Sequence, residues 1–233
     1  TNFNIRVKKG EKIGIVGPNG TGKTTLLKIL TKQLLPSSGK IKHGTDLDIS
    51  YLDQTRNNLV MDQTLQEILC PGGGCYVEIA GKTMHVASYL KQFLFDPRLL
   101  SAKVSILSGG EGNRLLLAKT LIKPGNLLIL DEPTNDLDMD TIEILLEILS
   151  EYTGTCIIVS HDRDFLNRLV NRTLVFEDNG NILEVCGGYD DYEKFYKKPQ
   201  VDVKKLSTEK EIKHKNTIIN RPGKISYKYQ REL

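Results

Sequence analysis

Residues 17–25 restrict the fold of this chain more than any other segment, because they alternate glycines with polar residues and end in Lys-Thr-Thr. The loop residues are Gly17, Pro18, Asn19, Gly20, Thr21, Gly22, Lys23, Thr24 and Thr25. An apolar, β-branched run precedes them and an amphipathic run follows, so the sequence predicts a strand, a glycine loop and a helix. Glycines with positive φ bring backbone N–H groups close to an anion, and the helix start adds partial positive charge. The segment therefore predicts a cradle for phosphates.

Two side chains of this loop suit a nucleoside triphosphate. The Lys23 ammonium is placed to reach the β and γ phosphates, and the Thr24 hydroxyl is placed to bind a Mg²⁺ ion that bridges them. A glycine loop without a ligand is the alternative, and the flanking strand and helix disfavour it. We therefore expect a nucleotide with Mg²⁺ at residues 17–25.

Composition restricts the class of protein. The chain has 233 residues, of which 39% are hydrophobic, enough for one large domain, or for one domain with a small subdomain and a tail. No run approaches the roughly 20 apolar residues of a membrane span, and the N-terminus lacks a signal-peptide pattern. Cys70, Cys75, Cys156 and Cys186 lack the spacing of a zinc site and are predicted to be free thiols. These features predict a cytoplasmic protein.

The net charge of +3 is unevenly distributed. Residues 197–233 contain eleven Lys or Arg against four acidic residues, so the rest of the chain is mildly acidic. Such a basic segment, with Tyr227 and Tyr229 near its end, is able to contact phosphates and stack on bases, but a solvated linker has the same composition. Both interpretations stay open. We predict a domain at 1–196 and a basic tail at 197–233.

Strand and helix patterns alternate along the chain. The predicted strands lie at 13–16, within 40–52, and at 127–130, 155–159, 172–176 and 181–185. The predicted helices lie at 23–30, 63–69, 84–95, 111–122, 139–149, 165–170 and 192–196. Alternation of this kind with a phosphate loop predicts an α/β fold with a mostly parallel sheet covered on both faces. The last two strands are expected to pair across Asn179-Gly180.

Two carboxylates follow the apolar run at 127–130, which places them at the carboxyl edge of the sheet, where ligands of such folds bind. Asp131 is suited to contact Mg²⁺, directly or through water. Glu132, one residue further, is suited to accept a proton from water that attacks the γ phosphate. An exposed pair of acids without a role is the alternative, which the phosphate loop disfavours.

Two further residues follow strands and are expected at the same edge. His161 comes after the apolar run 156–159 and is suited to hold the attacking water and Glu132 in register. Gln54 follows a predicted strand, and its amide oxygen is a Mg²⁺ ligand candidate. We interpret His43, His85 and His214 as structural.

The segment 107–111 reads Leu-Ser-Gly-Gly-Glu and precedes a predicted helix. Ser108 is a candidate N-cap, while Gly109 and Gly110 expose N–H groups at the helix start, which makes a second anion site. One triphosphate does not reach two separate clusters, so we expect this site to serve a nucleotide bound to another copy of the fold. An ordinary capped helix is the alternative.

This ordered set of motifs resembles the ATP-binding cassette (ABC) ATPases. In their terms it comprises a Walker A loop (17–25), a Q-loop (Gln54), a signature (107–111), a Walker B strand (127–132), a D-loop (135–138) and the switch His161. The resemblance implies a P-loop NTPase cassette with a mixed, mainly parallel core sheet, an antiparallel β subdomain and a small helical subdomain at about 60–122. It also implies that two cassettes close head to tail on two ATP molecules, so that Ser108, Gly109 and Gly110 contact the partner's ATP.

Within that superfamily, residues 131–138, 160–166 and 187–192 resemble the ABC-F proteins. The block at residues 71–95 and residues 224–233 are most similar to the second cassette of their Uup-like branch. This resemblance implies two cassettes on one polypeptide, or a homodimer, without a membrane domain. It also implies action on ribosomes or on branched DNA. An ATPase subunit of a membrane transporter and a nucleotide-gated binding module with little turnover are the alternatives.

The chain departs from the family pattern in three ways. Members of the family stack an aromatic residue on adenine, and that residue would lie upstream of Thr1, so it is absent from this sequence. A first cassette is also missing. We therefore expect a fragment, or a chain that needs a partner. Gly112 follows the signature where relatives have a better helix former, which weakens a helix interior by about 1 kcal/mol.

Overall fold

The computed structural model describes residues 3–52, 59–79 and 81–195. Eight strands lie in the described part of the chain: β1 (Lys12–Val16), β2 (Ile49–Leu52), β3 (Tyr76–Ile79), β4 (Lys82–His85), β5 (Leu127–Asp131), β6 (Thr155–Val159), β7 (Arg172–Phe176) and β8 (Ile182–Cys186). Seven α-helices lie between and after them: α1 (Lys23–Leu30), α2 (Leu65–Leu69), α3 (Val86–Gln92), α4 (Gly109–Ile122), α5 (Met139–Glu151), α6 (Arg163–Leu169) and α7 (Tyr189–Phe195). Short 3₁₀ turns span Pro97–Ser101 and Val104–Ile106.

Six strands form one sheet in the order β2-β5-β6-β1-β7-β8. The first five are mutually parallel, and β8 is antiparallel to β7. This confirms the predicted α/β fold with a mixed, mainly parallel sheet. Because parallel strands end at a common edge, the residues that follow β1, β5 and β6 meet there.

Side-chain alternation along the strands builds two cores, one on each face of the sheet. On one face, Ile15, Ile129 and Ile157 belong to a buried cluster with Leu27 of α1. On the other face, Leu130 and Ile158 belong to the cluster that includes apolar residues of α4, α5 and α6. Both faces are therefore covered, as the near-continuous apolar strands predict.

Helix starts follow capping chemistry. Thr64 and Glu67 form a capping box at the start of α2, so Thr64 is the N-cap of this helix. The helix α4 begins at Gly109, two residues before the predicted start, and continues through Gly112. An added Cβ at Gly112 would meet no atom within 4 Å, so this glycine is not required by packing.

Two predictions about local structure are wrong. Residues 40–48 contain no strand, and only Ile49–Leu52 of the predicted 40–52 strand region is extended in the sheet. That segment is rich in charged residues and mostly exposed, so it has no apolar face to bury. The predicted helix at 84–95 begins later, because Met84 and His85 end a hairpin, β3–β4, that turns at Gly81 with φ 77°. Antiparallel pairs of strands in the described residues are thus β3–β4 and β7–β8.

Candidate nucleotide-binding site

The loop between β1 and α1 requires glycine at its first position. Gly17 has φ 148°, and a Cβ there would lie 2.5 Å from the carbonyl oxygen of Phe176 on β7. Gly20 and Gly22 also have positive φ, 83° and 101°, but face open space. The backbone can therefore approach an anion closely at these two glycines. The residues lining a cavity of about 230 Å³ at this place include Asn19, Gly20, Gly22, Lys23, Thr24 and Thr25.

Lys23 is buried with its ammonium group turned back over the loop. Its Nζ donates hydrogen bonds to the carbonyl oxygens of Gly17 at 2.6 Å and Pro18 at 2.8 Å. Burial lowers the pKa of Lys23, and the charges of Glu132 and Asp131 partly oppose this shift. The residue thus places a desolvated positive charge where the loop backbone would hold phosphate oxygens.

Oxygen donors meet beside this lysine at the end of β5. The Oδ2 atom of Asp131 lies 3.5 Å from the Thr24 hydroxyl and 3.4 Å from the Tyr51 hydroxyl. Asp131 as a whole residue is only 7% exposed. Hard oxygen ligands of this kind fit Mg²⁺, which keeps several waters and phosphate oxygens in its shell. Asp131 and Thr24 would therefore hold the ion together with the nucleotide.

Glu132 occupies a strained turn immediately after β5. Its φ is 52°, in the left-handed region, and its N–H donates to the carbonyl oxygen of Val159 at 2.8 Å. Non-glycine residues with this conformation cluster at functional sites. The turn directs the Glu132 carboxylate toward the residues that follow β6.

His161 meets the Glu132 carboxylate at this edge. Its Nε2 lies 3.3 Å from Oε1, and its backbone N–H donates to Oε2 at 3.3 Å. The Glu132 side chain is only 11% exposed, whereas that of His161 is 53% exposed. Burial raises the pKa of Glu132, while His161 and then Lys23 oppose that shift. A carboxylate with a raised pKa is a better proton acceptor near neutral pH.

A pair of hydroxyl groups behind His161 was not identified from the sequence. The Ser160 hydroxyl lies 3.2 Å from the Thr134 hydroxyl and accepts a hydrogen bond from the N–H of Asp162 at 3.0 Å. Ser160 is 1% exposed, so this contact is sheltered from water. It ties the turn that contains His161 to the segment that follows Glu132.

Tyr51 was also missed as a neighbour of Asp131. In the parallel register Tyr51 is the partner of Ile129, two residues before Asp131, so the two side chains share a face. Alternation alone would have identified this face once the pairing of β2 with β5 was known. The pairing itself joins residues that are far apart in the sequence, Tyr51 and Ile129, and carries no local signal.

The signature residues lie apart from this cavity. Ser108 and Glu111 form a capping box in which the Ser108 hydroxyl donates to the Glu111 carboxylate at 2.7 Å. These hydrogen bonds hold the pKa of Glu111 below its usual range. Gly109 and Gly110 open α4. The structure thus brings Lys23, Thr24, Asp131, Glu132 and His161 together and leaves Ser108, Gly109 and Gly110 elsewhere.

A larger cavity of about 620 Å³ borders Gly17 and His161. At its wall the Arg163 guanidinium lies 4.3 Å from the centre of the Tyr189 ring and pairs with Glu193 at 3.0 Å. These contacts hold α7 against α6, next to the turn that contains His161.

Two predicted features lie outside the described residues: Gln54 and the basic segment 197–233. In the part of the chain that the structure describes, no helix has both the length and the apolar character needed to cross a membrane. The four cysteines are free thiols, as predicted.

Comparisons with known proteins identify the family of this chain. The ABC transporter family model matches residues 1–135. The ATP-binding protein Uup of Escherichia coli (strain K12) is 46% identical over 99% of this chain, which covers 37% of that protein. Uup of Caulobacter vibrioides is 48% identical over 82% of this chain and 31% of that protein. The energy-dependent translational throttle protein EttA of Escherichia coli O6:H1 is 37% identical over 84% of this chain and 35% of that protein. The chain spans about a third of the length of these relatives.

Solved structures show the same fold. The archaeal ribosome recycling factor aABCE1, in complex with the ribosomal stalk protein aP1, aligns with a TM-score of 0.65 and 29% identity over 81% of this chain and 37% of that one. The dimeric bacterial ABC transporter cassette MJ0796 aligns with a TM-score of 0.63 and 26% identity over 79% of this chain and 89% of that one. The family model matches more than half of the sequence, which shows the family. The similarity to Uup proteins shows which branch of the family this sequence resembles. This chain therefore belongs to the ABC ATPase family, in its Uup-like ABC-F branch.

Proposed function

We propose that this chain is an ATP-hydrolysing cassette that works in pairs and acts on the ribosome or on nucleic acid. The observation that carries the hydrolytic part is the contact of Glu132 with His161, 3.3 Å apart, beside Lys23 and Asp131. The proposal assigns residues 1–196 to the ATP-binding domain, with a helical part at about 60–122, and residues 197–233 to a basic tail.

The chemistry follows from the charges around the cavity. The loop amides and the Lys23 ammonium bind the phosphate oxygens and neutralise their charge. Glu132 accepts a proton from water that attacks the γ phosphate, and its raised pKa suits that role. His161 holds the Glu132 carboxylate in place through two contacts. A Mg²⁺ ion held by Thr24 and Asp131 would supply further positive charge on the phosphates.

Pairing explains the position of the signature. Ser108, Gly109 and Gly110 do not line the cavity around Lys23, so they are free to contact an ATP bound to a partner. The partner is a second cassette on the same polypeptide or a second copy of the chain. The similarity to a cassette solved as a dimer supports this arrangement.

Complementation between two inactive variants tests the pairing. We expect Lys23→Ala and Ser108→Arg each to abolish hydrolysis, because one loses a phosphate contact and the other blocks the signature. In an equimolar mixture, about half of the pairs contain one copy of each variant. One of the two ATP sites in such a mixed pair has both an intact Lys23 and an intact Ser108. About a quarter of wild-type turnover should therefore return. Phosphate release at several protein concentrations measures it.

The outcomes separate paired from solitary action. Recovery that grows with protein concentration supports pairing. If the mixture is no more active than the two variants measured separately, or if Ser108→Arg alone keeps full turnover, the paired mechanism is wrong.

The target is proposed from the relatives and tested directly. Two similar proteins support the ribosome as the target. One relative is named as a translational throttle protein, and one structural neighbour is named as a ribosome recycling factor. We expect Glu132→Gln with ATP to cosediment with purified ribosomes, or to bind branched DNA, about tenfold more tightly than with ADP. Co-purification with a membrane permease, without nucleotide-dependent binding to either target, would instead favour a transporter subunit. We further propose a cytoplasmic location, where both targets are found.

A further inference from the structure

Two side chains of α4 bind the D-loop of the same chain. The Nη1 atom of Arg114 donates to Oδ2 of Asp138 at 2.8 Å, and Nδ2 of Asn113 donates to Oδ2 of Asp136 at 3.2 Å. The two donors lie between one and two helical turns after Ser108. The signature helix is therefore tied to the segment that follows the Walker B strand.

Arg114 and Asp138 are each held by a second contact. The Arg114 side chain is 16% exposed, and its guanidinium lies 5.5 Å from the centre of the Phe95 ring. The other carboxylate oxygen of Asp138 accepts hydrogen bonds from the N–H of Thr141 at 2.8 Å and its hydroxyl at 2.7 Å, which caps α5. Because both partners are pre-oriented, the pair loses little side-chain entropy when it forms.

The backbones of the two segments also touch. An added Cβ at Gly110 would lie 3.1 Å from the carbonyl oxygen of Asp136. The N–H of Asn135 in turn donates to the carbonyl oxygen of Glu132 at 3.2 Å. A short series of contacts therefore runs from the turn that holds the proposed general base to the start of α4.

We propose that Arg114 is a positioning residue that holds Ser108, Gly109 and Gly110 in a defined place relative to Glu132 of its own chain. This inference rests on the proposed pairing, in which Glu132 acts on one ATP and the signature contacts the other. The Arg114–Asp138 pair then couples the two sites, because a shift of the D-loop at one ATP moves the signature at the second. Arg114 itself does not line the phosphate cavity.

A purely structural role is the competing explanation. A partly exposed ion pair contributes little to stability, commonly less than about 1 kcal/mol. A structural role would therefore change the melting temperature slightly and leave the catalytic constants of the folded protein unchanged. A positioning role would change kcat without changing the affinity of a single chain for ATP.

Three variants and their combination test the role. We expect Arg114→Met to lower kcat about tenfold, while binding of a fluorescent ATP analogue to the dilute chain stays unchanged. Arg114→Lys keeps a cation beside Asp138 and should retain most of the rate. Asp138→Ser removes the carboxylate but keeps an N-cap residue for α5, and should lower kcat as Arg114→Met does. The double variant that combines Arg114→Met with Asp138→Ser should be no slower than either single variant, because each single change already removes the same interaction.

Arg168→Met is the matched control. Arg168 pairs with Glu143 at 2.6 Å between α6 and α5, so this variant also removes an arginine–carboxylate pair between elements. It touches neither the D-loop nor α4. We expect its kcat to equal that of the wild type.

The other outcomes overturn the inference. Additive losses in the double variant, equal losses in Arg114→Lys and Arg114→Met, or an unchanged kcat in Asp138→Ser would each contradict it. If Arg114→Met does not fold, the kcat of Asp138→Ser is compared with that of the wild type instead, because this variant removes the same contact. Ser108→Arg, measured alongside, separates the two proposals. If Ser108→Arg is inactive but Arg114→Met hydrolyses ATP at the wild-type rate, the positioning role fails and pairing stands. If neither Ser108→Arg nor Arg114→Met slows hydrolysis, pairing fails as well.

Discussion

Replacing Glu132 with glutamine is expected to lower ATP turnover by about a hundred to ten thousand fold. Glutamine has nearly the same shape as glutamate, but it cannot accept a proton from the attacking water. The phosphate loop, Lys23 and Asp131 are unchanged, so ATP affinity should be retained. Phosphate release measures the loss, and titration with a fluorescent ATP analogue measures the affinity.

The control for this experiment is Glu147→Gln on the exposed side of α5, which makes the same chemical change away from the site. It should leave turnover unchanged. Hydrolysis at the wild-type rate in Glu132→Gln would remove Glu132 from the mechanism. Loss of nucleotide binding in that variant would mean that the glutamate shapes the pocket and does not act as a base.

The pH dependence of stability provides a check that Glu132→Gln is folded. Because burial raises the pKa of Glu132, the folded state binds its proton more tightly than the unfolded state. Ionised Glu132 therefore opposes folding above the raised pKa, and this cost disappears below the ordinary pKa of a glutamate. The melting temperature of Glu132→Gln should exceed that of the wild type at neutral pH and approach it as the pH falls.

Replacing Lys23 with alanine is expected to weaken ATP binding by about ten to a hundred fold. The ammonium group is buried among the loop carbonyls and would donate charge-assisted hydrogen bonds to phosphate oxygens. Hydrogen bonds to charged groups contribute about 1.5–3 kcal/mol, and each 1.4 kcal/mol is about tenfold in affinity. Titration of the dilute chain with a fluorescent ATP analogue measures the change.

Lys28→Ala is the matched control, because Lys28 is an exposed lysine in the last turn of the same helix. It should bind ATP as the wild type does. Burial lowers the pKa of Lys23, so the folded protein disfavours its charge, and alanine there should not unfold the chain. If Lys23→Ala keeps wild-type affinity, or if Lys28→Ala loses as much, residues 17–25 are not the phosphate site.

Local pattern identified most of the strands and helices. The buried runs of β1, β5, β6 and β7 are mainly apolar, and they coincide with the predicted strands to within one residue. Where local pattern was weak the predictions were wrong. Residues 40–48 were expected to contain strands and do not, and the hairpin β3–β4 was not foreseen, because four-residue strands carry too little periodicity.

The sequence by itself determined the positions of the glycine loop after β1, the acidic pair after β5 and the histidine after β6, because each follows a strand whose apolar pattern is local. It also indicated the capped start of α4 from Ser108 and Glu111. Tertiary structure alone decided that Tyr51 reaches Asp131, that Ser160 meets Thr134 and that Arg114 binds Asp138. These contacts join residues 24 to 80 positions apart, and their distances depend on strand register and helix packing, which no local pattern contains.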